Sequence, residues 1–159
     1  LVCVNRASVF AIEQFKLPLR GVTAGLPHTD FYVPGSILRI QLDTSSWIAR
    51  DMPSQSIAWA EDSPVFEVLS GAAVSPVGVR DTGANSGETA VPRVRIVAWY
   101  PKDKDPLLSG WLLGGDLIKG KAALVEVTMG KGRIILFGFR PQYRGQSLAT
   151  YPLFFNAIR

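Results

Sequence analysis

The chain has 159 residues, of which 47% are hydrophobic, and its 17 basic and 13 acidic residues give a formal net charge of +4. This size and apolar content predict one domain over residues 1–159 with a sizeable core, and they leave no room for a second domain of ordinary size. The basic residues form only isolated pairs such as Arg93 with Arg95, so nucleic acid is not expected as a partner. No apolar run approaches the roughly 18–20 residues that span a bilayer, so a membrane is not expected as a partner either.

The chain begins with a predicted strand, turn and helix. Residues 1–4 (L-V-C-V) are an apolar run, Asn5 is a good helix N-cap residue, and residues 6–16 lack glycine and proline. In amidotransferase-like and α/β-hydrolase-like folds such a junction presents a nucleophile, but here the turn reads N-R-A-S without flanking glycines. Cys3 lies inside the strand and is interpreted as a buried apolar filler. Ser8 lies in the first helical turn, where a hydroxyl more often caps backbone amides than attacks a substrate.

The next part of the chain is predicted to alternate irregular segments with short strands. Residues 17–35 contain three prolines and three glycines, which indicates an ordered but irregular excursion. Clean alternation predicts a half-buried strand over residues 36–43, and residues 44–53 predict a short Ser/Thr-capped helical turn ended by proline. Two further short strands are expected, at 56–60 and 65–69.

Composition predicts little regular structure in residues 70–92, which are rich in small and polar residues and are expected to form a mobile loop or a loose hairpin. The elements expected after it are a strand at 93–100, a compact loop or one short helix at 107–120, two strands at 121–128 and 133–139 joined by a glycine-bearing hairpin, and a helix at 148–158 capped by Ser147. Pro152 is acceptable only near the start of that helix.

Strands therefore outnumber helices. The first element is a strand-to-helix unit and the last is a hairpin-to-helix unit, as at the edges of an open α/β sheet. We predict a strand-rich α/β fold with an open mixed sheet and flanking helices.

The most informative segment is residues 130–147, which read G-K-G-R-I-I-L-F-G-F-R-P-Q-Y-R-G-Q-S. This segment resembles the end of a class I glutamine amidotransferase domain, where the last core strand runs into a Phe-His-Pro-Glu turn. Here the turn is Phe139, Arg140, Pro141 and Gln142. A guanidinium stays protonated and cannot accept a proton from a thiol, and a neutral amide cannot stabilise an imidazolium. No residue of this chain is therefore predicted to be catalytic.

Two further segments extend the resemblance, D-F-Y-V-P-G-S-I-L-R at 30–39 and G-K-A-A-L-V-E-V at 120–127. Together with F-G-F-R-P-Q-Y-R-G-Q they resemble the C-terminal region of bacterial proteins related to carboxypeptidase A-type zinc peptidases. The resemblance implies an amidotransferase-like (flavodoxin-like) domain that follows a peptidase domain, which would be its partner within one longer polypeptide. It also implies a periplasmic or secreted location. The start without an initiator methionine fits a piece of such a chain.

No cofactor or metal is expected in this domain, since the family's zinc is held by two histidines and a glutamate of the upstream domain. The chain has one histidine, His28, which is interpreted as a surface or loop-packing residue because a zinc site needs three or four ligands. Two pairs of acids in turns are interpreted as solvated charges, namely Glu61 with Asp62 and Asp103 with Asp105.

The leading hypothesis is a non-catalytic accessory domain with a degenerate amidotransferase triad. The alternative is a binding module in which Arg140, Gln142, Arg144 and Gln146, which alternate after the last core strand, recognise a carboxylate or other anion. A structural role, with the arginines holding the turn together, competes with that alternative. A hydrolase using Ser8 or Cys3 has little support, because no histidine is placed as its base. An exposed sheet edge would favour a homodimer.

Overall fold

The computed structural model describes residues 1–79, 91–145 and 147–159. Within these residues ten strands form one sheet, and two α-helices and three 3₁₀ turns accompany it. The strands are β1 (Val2–Val4), β2 (Leu19–Gly21), β3 (Pro34–Leu42), β4 (Gln55–Glu61), β5 (Phe66–Val68), β6 (Ala73–Val74), β7 (Arg93–Trp99), β8 (Leu107–Ser109), β9 (Ala122–Met129) and β10 (Gly132–Phe137). The α-helices are α1 (Arg6–Gln14) and α2 (Tyr151–Ala157).

The sheet is mixed and mostly antiparallel. Its main path runs in the order β1-β10-β9-β7-β3-β4, with β2, β5, β6 and β8 attached to it. Among the described strands, only β1 with β10 and β6 with β7 pair in parallel. This confirms the predicted strand-rich α/β class with an open mixed sheet and flanking helices.

The core has two halves, one on each face of the sheet. Successive residues of β10 alternate between them, since Ile135 and Phe137 belong to one buried cluster and Ile134 and Leu136 to the other. Because neighbouring side chains of a strand point to opposite faces, the clusters lie on opposite sides of the sheet. Helix α1 contributes to the second cluster and α2 to the first, so each helix covers one face.

Several expected boundaries differ from the observed ones because long-range pairing organises short segments that look irregular locally. The excursion at 17–35 contains β2, which pairs with β5, and the segment at 107–120 contains β8 and a 3₁₀ turn at Gly115–Leu117. Part of the loop expected at 70–92 is ordered, since β6 pairs in parallel with β7. Residues 80–90 of that predicted loop lie outside the described part of the chain.

The C-terminal helix begins later than expected. A 3₁₀ turn at Leu148–Thr150 precedes α2, and the Ser147 side chain makes no capping hydrogen bond, so that predicted cap is wrong. Pro152 lies in the first turn of α2, as predicted, where its missing N–H costs nothing. The cap expected at the earlier helical turn is confirmed, because the Ser46 hydroxyl accepts a hydrogen bond from the Ile48 N–H.

Strand β4, at one edge of the sheet, contacts the segment that follows β10. Trp59 and Arg140 form an isolated antiparallel bridge, with the Arg140 N–H donating to the Trp59 carbonyl at 3.1 Å. Gly138 lets the same segment pack closely against the turn after β4, because a Cβ there would lie 2.2 Å from the Pro64 carbonyl oxygen. The carboxyl ends of β1, β4 and β10 therefore meet in one region. None of the described helices is long and apolar enough to cross a membrane.

Candidate functional site

The turn between β1 and α1 has a strained backbone at Asn5. This residue has φ 53° and ψ −126°, and only 8% of its surface is exposed. Positive φ is uncommon for a residue that carries a Cβ, and strained turns of this kind between a strand and a helix present the nucleophile in elbow-type enzymes. In this chain, the elbow position therefore carries an amide, which is not a nucleophile.

Hydrogen bonds hold Asn5 in this conformation. Its backbone N–H donates to the Phe137 carbonyl at 2.8 Å, and its side-chain Nδ2 donates to the Glu61 carbonyl at 3.1 Å. Asn5 occupies the N-cap position of α1, as expected, but its side chain makes no capping hydrogen bond. The amide instead ties the elbow to the ends of β10 and β4. Its partners are distant in sequence, and the motif N-R-A-S gives no sign of them.

Neither potential nucleophile near the elbow is arranged for attack. Cys3 lies in β1 and is buried, as predicted, and burial raises the pKa of its thiol. Ser8 is fully buried, and its hydroxyl donates to the Phe137 carbonyl at 2.8 Å. Ser8 thus binds a strand carbonyl rather than capping helix amides, which corrects the expected role of this hydroxyl.

The turn after β10 places Arg140 against Glu61. Its Nη2 lies 3.2 Å from Glu61 Oε2, and the two side chains are 42% and 33% exposed. Glu61 is therefore not the solvated turn acid that the sequence suggested. Since Asn5 binds the backbone of Glu61 and Arg140 binds its side chain, Glu61 connects the elbow to this turn.

Aromatic contacts organise the rest of the turn. Trp59 and Tyr143 stack with ring centroids 4.7 Å apart and an interplanar angle of 12°. The guanidiniums of Arg140 and Arg144 lie 5.8 Å and 5.2 Å from the Tyr143 ring centre, within the range of cation–π attraction. Gln142 is exposed.

Of the four predicted ligand residues, the structure thus brings Arg140 and Arg144 together on one aromatic ring. Gln146 lies outside the described residues. Sequence reasoning missed Trp59 and Tyr143, although the aromatic beside two arginines in R-P-Q-Y-R was a usable signal.

A cleft of about 420 Å³ lies beside the elbow. The outward face of α1 forms one wall, and the loop after β2 and the turn after β4 form the others. The lining is mostly apolar, with an exposed ion pair between Arg6 and Asp62 at 3.5 Å. A mostly apolar hollow with a few polar groups is a common form of ligand site.

His28 borders this cleft as an exposed loop residue, as predicted, with its ring centroid 5.0 Å from that of Tyr32. Among the described residues, no three His, Cys, Asp or Glu side chains are grouped so that they could hold a metal ion.

Replacing Asn5 tests the elbow geometry. We expect Asn5→Ala to be less stable than Asn5→Gly by about 1–2 kcal/mol, because both lose the bond to Glu61 but only glycine adopts this φ and ψ without strain. Urea unfolding would measure the difference. Ala7→Gly, at an exposed position in α1, is the matched control and should show the opposite order, with glycine less stable by roughly 0.5–1 kcal/mol. Equal stability of the two Asn5 variants would contradict a strained elbow.

Comparison with models of protein families finds no match for this chain, and comparison with curated proteins finds none. Among solved structures, the chain is similar to a ThuA-like protein from Bacteroides uniformis, with 10% sequence identity and a TM-score of 0.40. The similarity covers 81% of this chain and 44% of that protein, so the chain spans less than half the length of that relative. Similarity at this level says nothing about what the chain binds or does.

Proposed function

We propose that the chain is a non-catalytic accessory domain of a larger zinc carboxypeptidase-like protein, with a degenerate amidotransferase triad. The observation that carries the proposal is the occupancy of the elbow by Asn5, whose amide is bonded to the Glu61 carbonyl. An amidotransferase needs a thiolate at this position and a base beside it. Here the residue at the base position is Arg140, which pairs with Glu61.

The role of the parent protein is inferred from the resemblance of residues 30–39, 120–127 and 137–146 to the region that follows the peptidase domain in such proteins. In this proposal the domain packs on the peptidase domain of its own polypeptide and positions it. The zinc and its ligands belong to that domain, and the protein is periplasmic or secreted.

Assays for glutaminase and esterase activity test the absence of catalysis. We expect the chain to hydrolyse neither glutamine nor small esters, because its one thiol is buried with a raised pKa and no described base contacts it. Cys3→Ala is the matched variant and should leave any background rate unchanged. A rate that this substitution abolishes would overturn the proposal.

The accessory role needs a separate test. Peptide mapping of the native polypeptide should place a zinc-peptidase ligand set of two histidines and a glutamate upstream of Leu1. A short upstream segment without such ligands would contradict the accessory role and leave a stand-alone binding protein.

The second candidate function is recognition of a carboxylate at the turn after β10. It is favoured by Arg144, which is exposed and makes no ion pair with the described residues, and it is weakened by Arg140, which is already paired with Glu61. Titration with peptides that carry a free C-terminal carboxylate tests it. Saturable binding that Arg144→Gln abolishes would support this function, and no binding at millimolar peptide would exclude it.

A further inference from the structure

A row of alternating charges crosses the face of the sheet that α2 covers. Arg95 of β7 is the cross-strand partner of Glu126 of β9, and both are buried. Asp43, just after β3, binds Arg95 on one side at 2.8 Å, and Arg133 of β10 lies on the other side with its Nε 3.6 Å from Glu126 Oε1. The row of charges therefore ends at Arg133 on β10.

Trp47 fixes the orientation of that arginine. Its indole Nε1 donates to Glu126 Oε1 at 3.0 Å, and the Arg133 guanidinium lies 5.3 Å from the indole ring centre. With its Nε directed at Glu126 and one face on the ring, Arg133 leaves its two terminal nitrogens without a partner among the described residues. Its side chain is 47% exposed. A guanidinium held in this way is preorganised to bind an anion with its terminal fork.

Two adjoining hollows, of about 410 and 600 Å³, meet at this arginine, and both are lined by Trp47, Arg50 and Arg133. Arg159 borders the first hollow and Thr44 the second. We call the combined feature the arginine groove.

Hydrogen bonds from α2 support one wall of the arginine groove. The Nδ2 group of Asn156 donates to the Ile48 carbonyl at 3.1 Å and to the Arg50 carbonyl at 3.3 Å. The backbone that carries Arg50 is thus held independently of its side chain.

The groove carries an excess of positive charge. Its lining side chains include three guanidiniums, those of Arg50, Arg133 and Arg159, against one carboxylate, that of Asp51. Arg50 and Arg159 make no ion pair with any residue that the structure describes. The Thr44 hydroxyl is exposed and forms no hydrogen bond within the described chain. Guanidiniums and a hydroxyl are the donors suited to a tetrahedral oxyanion.

We propose that the arginine groove binds the phosphoryl group of a small phosphorylated molecule. Arg133, held over Trp47, supplies the fixed fork, Arg50 and Arg159 close on the anion from the rim, and Thr44 donates a further hydrogen bond. This site is separate from the turn after β10, and it does not depend on the accessory role.

Titration with inorganic phosphate and with pyrophosphate, at constant ionic strength set by chloride, tests the proposal. The reporter is the indole N–H resonance of Trp47 in two-dimensional NMR. We expect saturable shifts at Trp47 and at the neighbouring backbone amides of residues 44–51. A response that does not saturate, or that acetate reproduces at the same ionic strength, would overturn the proposal.

Variants locate the site. Arg50→Gln combined with Arg159→Gln should weaken phosphate binding at least about tenfold and leave the fold intact, because both side chains are exposed and unpaired within the described chain. Lys104→Gln, which removes an exposed cation from the loop between β7 and β8, is the matched control and should leave the affinity unchanged. Arg144→Gln tests the competing site at the turn after β10. If Arg144→Gln abolishes binding while the groove variant retains it, phosphate binds at the turn after β10 and the proposal is wrong.

Discussion

Replacement of Arg95 by methionine is expected to lower the free energy of unfolding by about 3–5 kcal/mol, because it leaves a buried carboxylate without its counter-charge. Arg95 donates from Nε and Nη2 to Asp43 Oδ2 at 3.1 and 2.8 Å, and the two residues are 4% and 2% exposed. The same guanidinium donates to the Val79 carbonyl at 2.9 Å. Its loss therefore also releases the segment that follows β6.

The effect of this substitution should depend on pH. Burial alone would raise the pKa of Asp43, but hydrogen bonds from Ser45 and Arg95 and from the Gly78 backbone hold the pKa below its ordinary value. A carboxyl with a lowered folded-state pKa stabilises the protein above its unfolded pKa of about 3.9, and this contribution is lost as the pH falls through the folded-state pKa. Without Arg95 the folded-state pKa of Asp43 moves upward.

The destabilisation should therefore be largest near neutral pH and smaller near pH 4, where Asp43 of the variant can take up a proton. Urea unfolding at the two pH values measures it. Arg6→Met removes an exposed pair with Asp62, whose side chains are 83% and 45% exposed, and should cost less than about 1 kcal/mol at either pH. A cost for Arg95→Met as small as that of the control, or one that grows on acidification, would contradict this account of the buried pair.

Local patterns predicted the central strands because their residues alternate or form continuous apolar runs. Residues 36–43, 93–100, 121–128 and 133–139 correspond to β3, β7, β9 and β10, and every predicted end lies within two residues of the observed one. Buried strands at the centre of a sheet leave such patterns in the sequence itself. Short strands such as β2 and β6 were not predicted, because three or two residues carry no period and form only where a partner strand is present.

The candidate site could be predicted only in part, because some of its features depend on contacts between residues that are remote in sequence. The difference between Arg140 and Gln142 and the histidine and glutamate of the amidotransferase turn that this segment resembles is visible in the sequence, since it concerns residue type alone. The strain at Asn5 is not, because it depends on bonds to Phe137 and Glu61, which are remote in sequence. Arg95 gave no sign of burial, since its partner Asp43 lies 52 positions away.

Phe139→Ala is expected to destabilise the protein by about 3–5 kcal/mol, the cost of emptying a fully buried aromatic site. Phe139 has no exposed surface, and its ring meets Phe137 edge to face with centroids 5.6 Å apart at 87°. Denaturant unfolding with an unchanged m-value would establish that stability alone has changed. Phe139→Leu retains most of the volume and should cost less than Phe139→Ala.

The neighbouring Arg140→Gln is the informative contrast, because the proposed degenerate triad places Arg140 at the position of the amidotransferase base. Its ion pair with Glu61 is partly exposed, so its loss should cost no more than about 1 kcal/mol. If Arg140→Gln were instead as costly as Phe139→Ala, the guanidinium would be a structural anchor of the turn and Arg140 could not serve as a ligand residue. If Phe139→Ala costs more stability than Arg140→Gln, as expected, then Phe139 is the residue that stabilises the fold at this turn. Under the proposed degenerate triad, position 140 is then the place where an arginine replaces the amidotransferase base without loss of the turn.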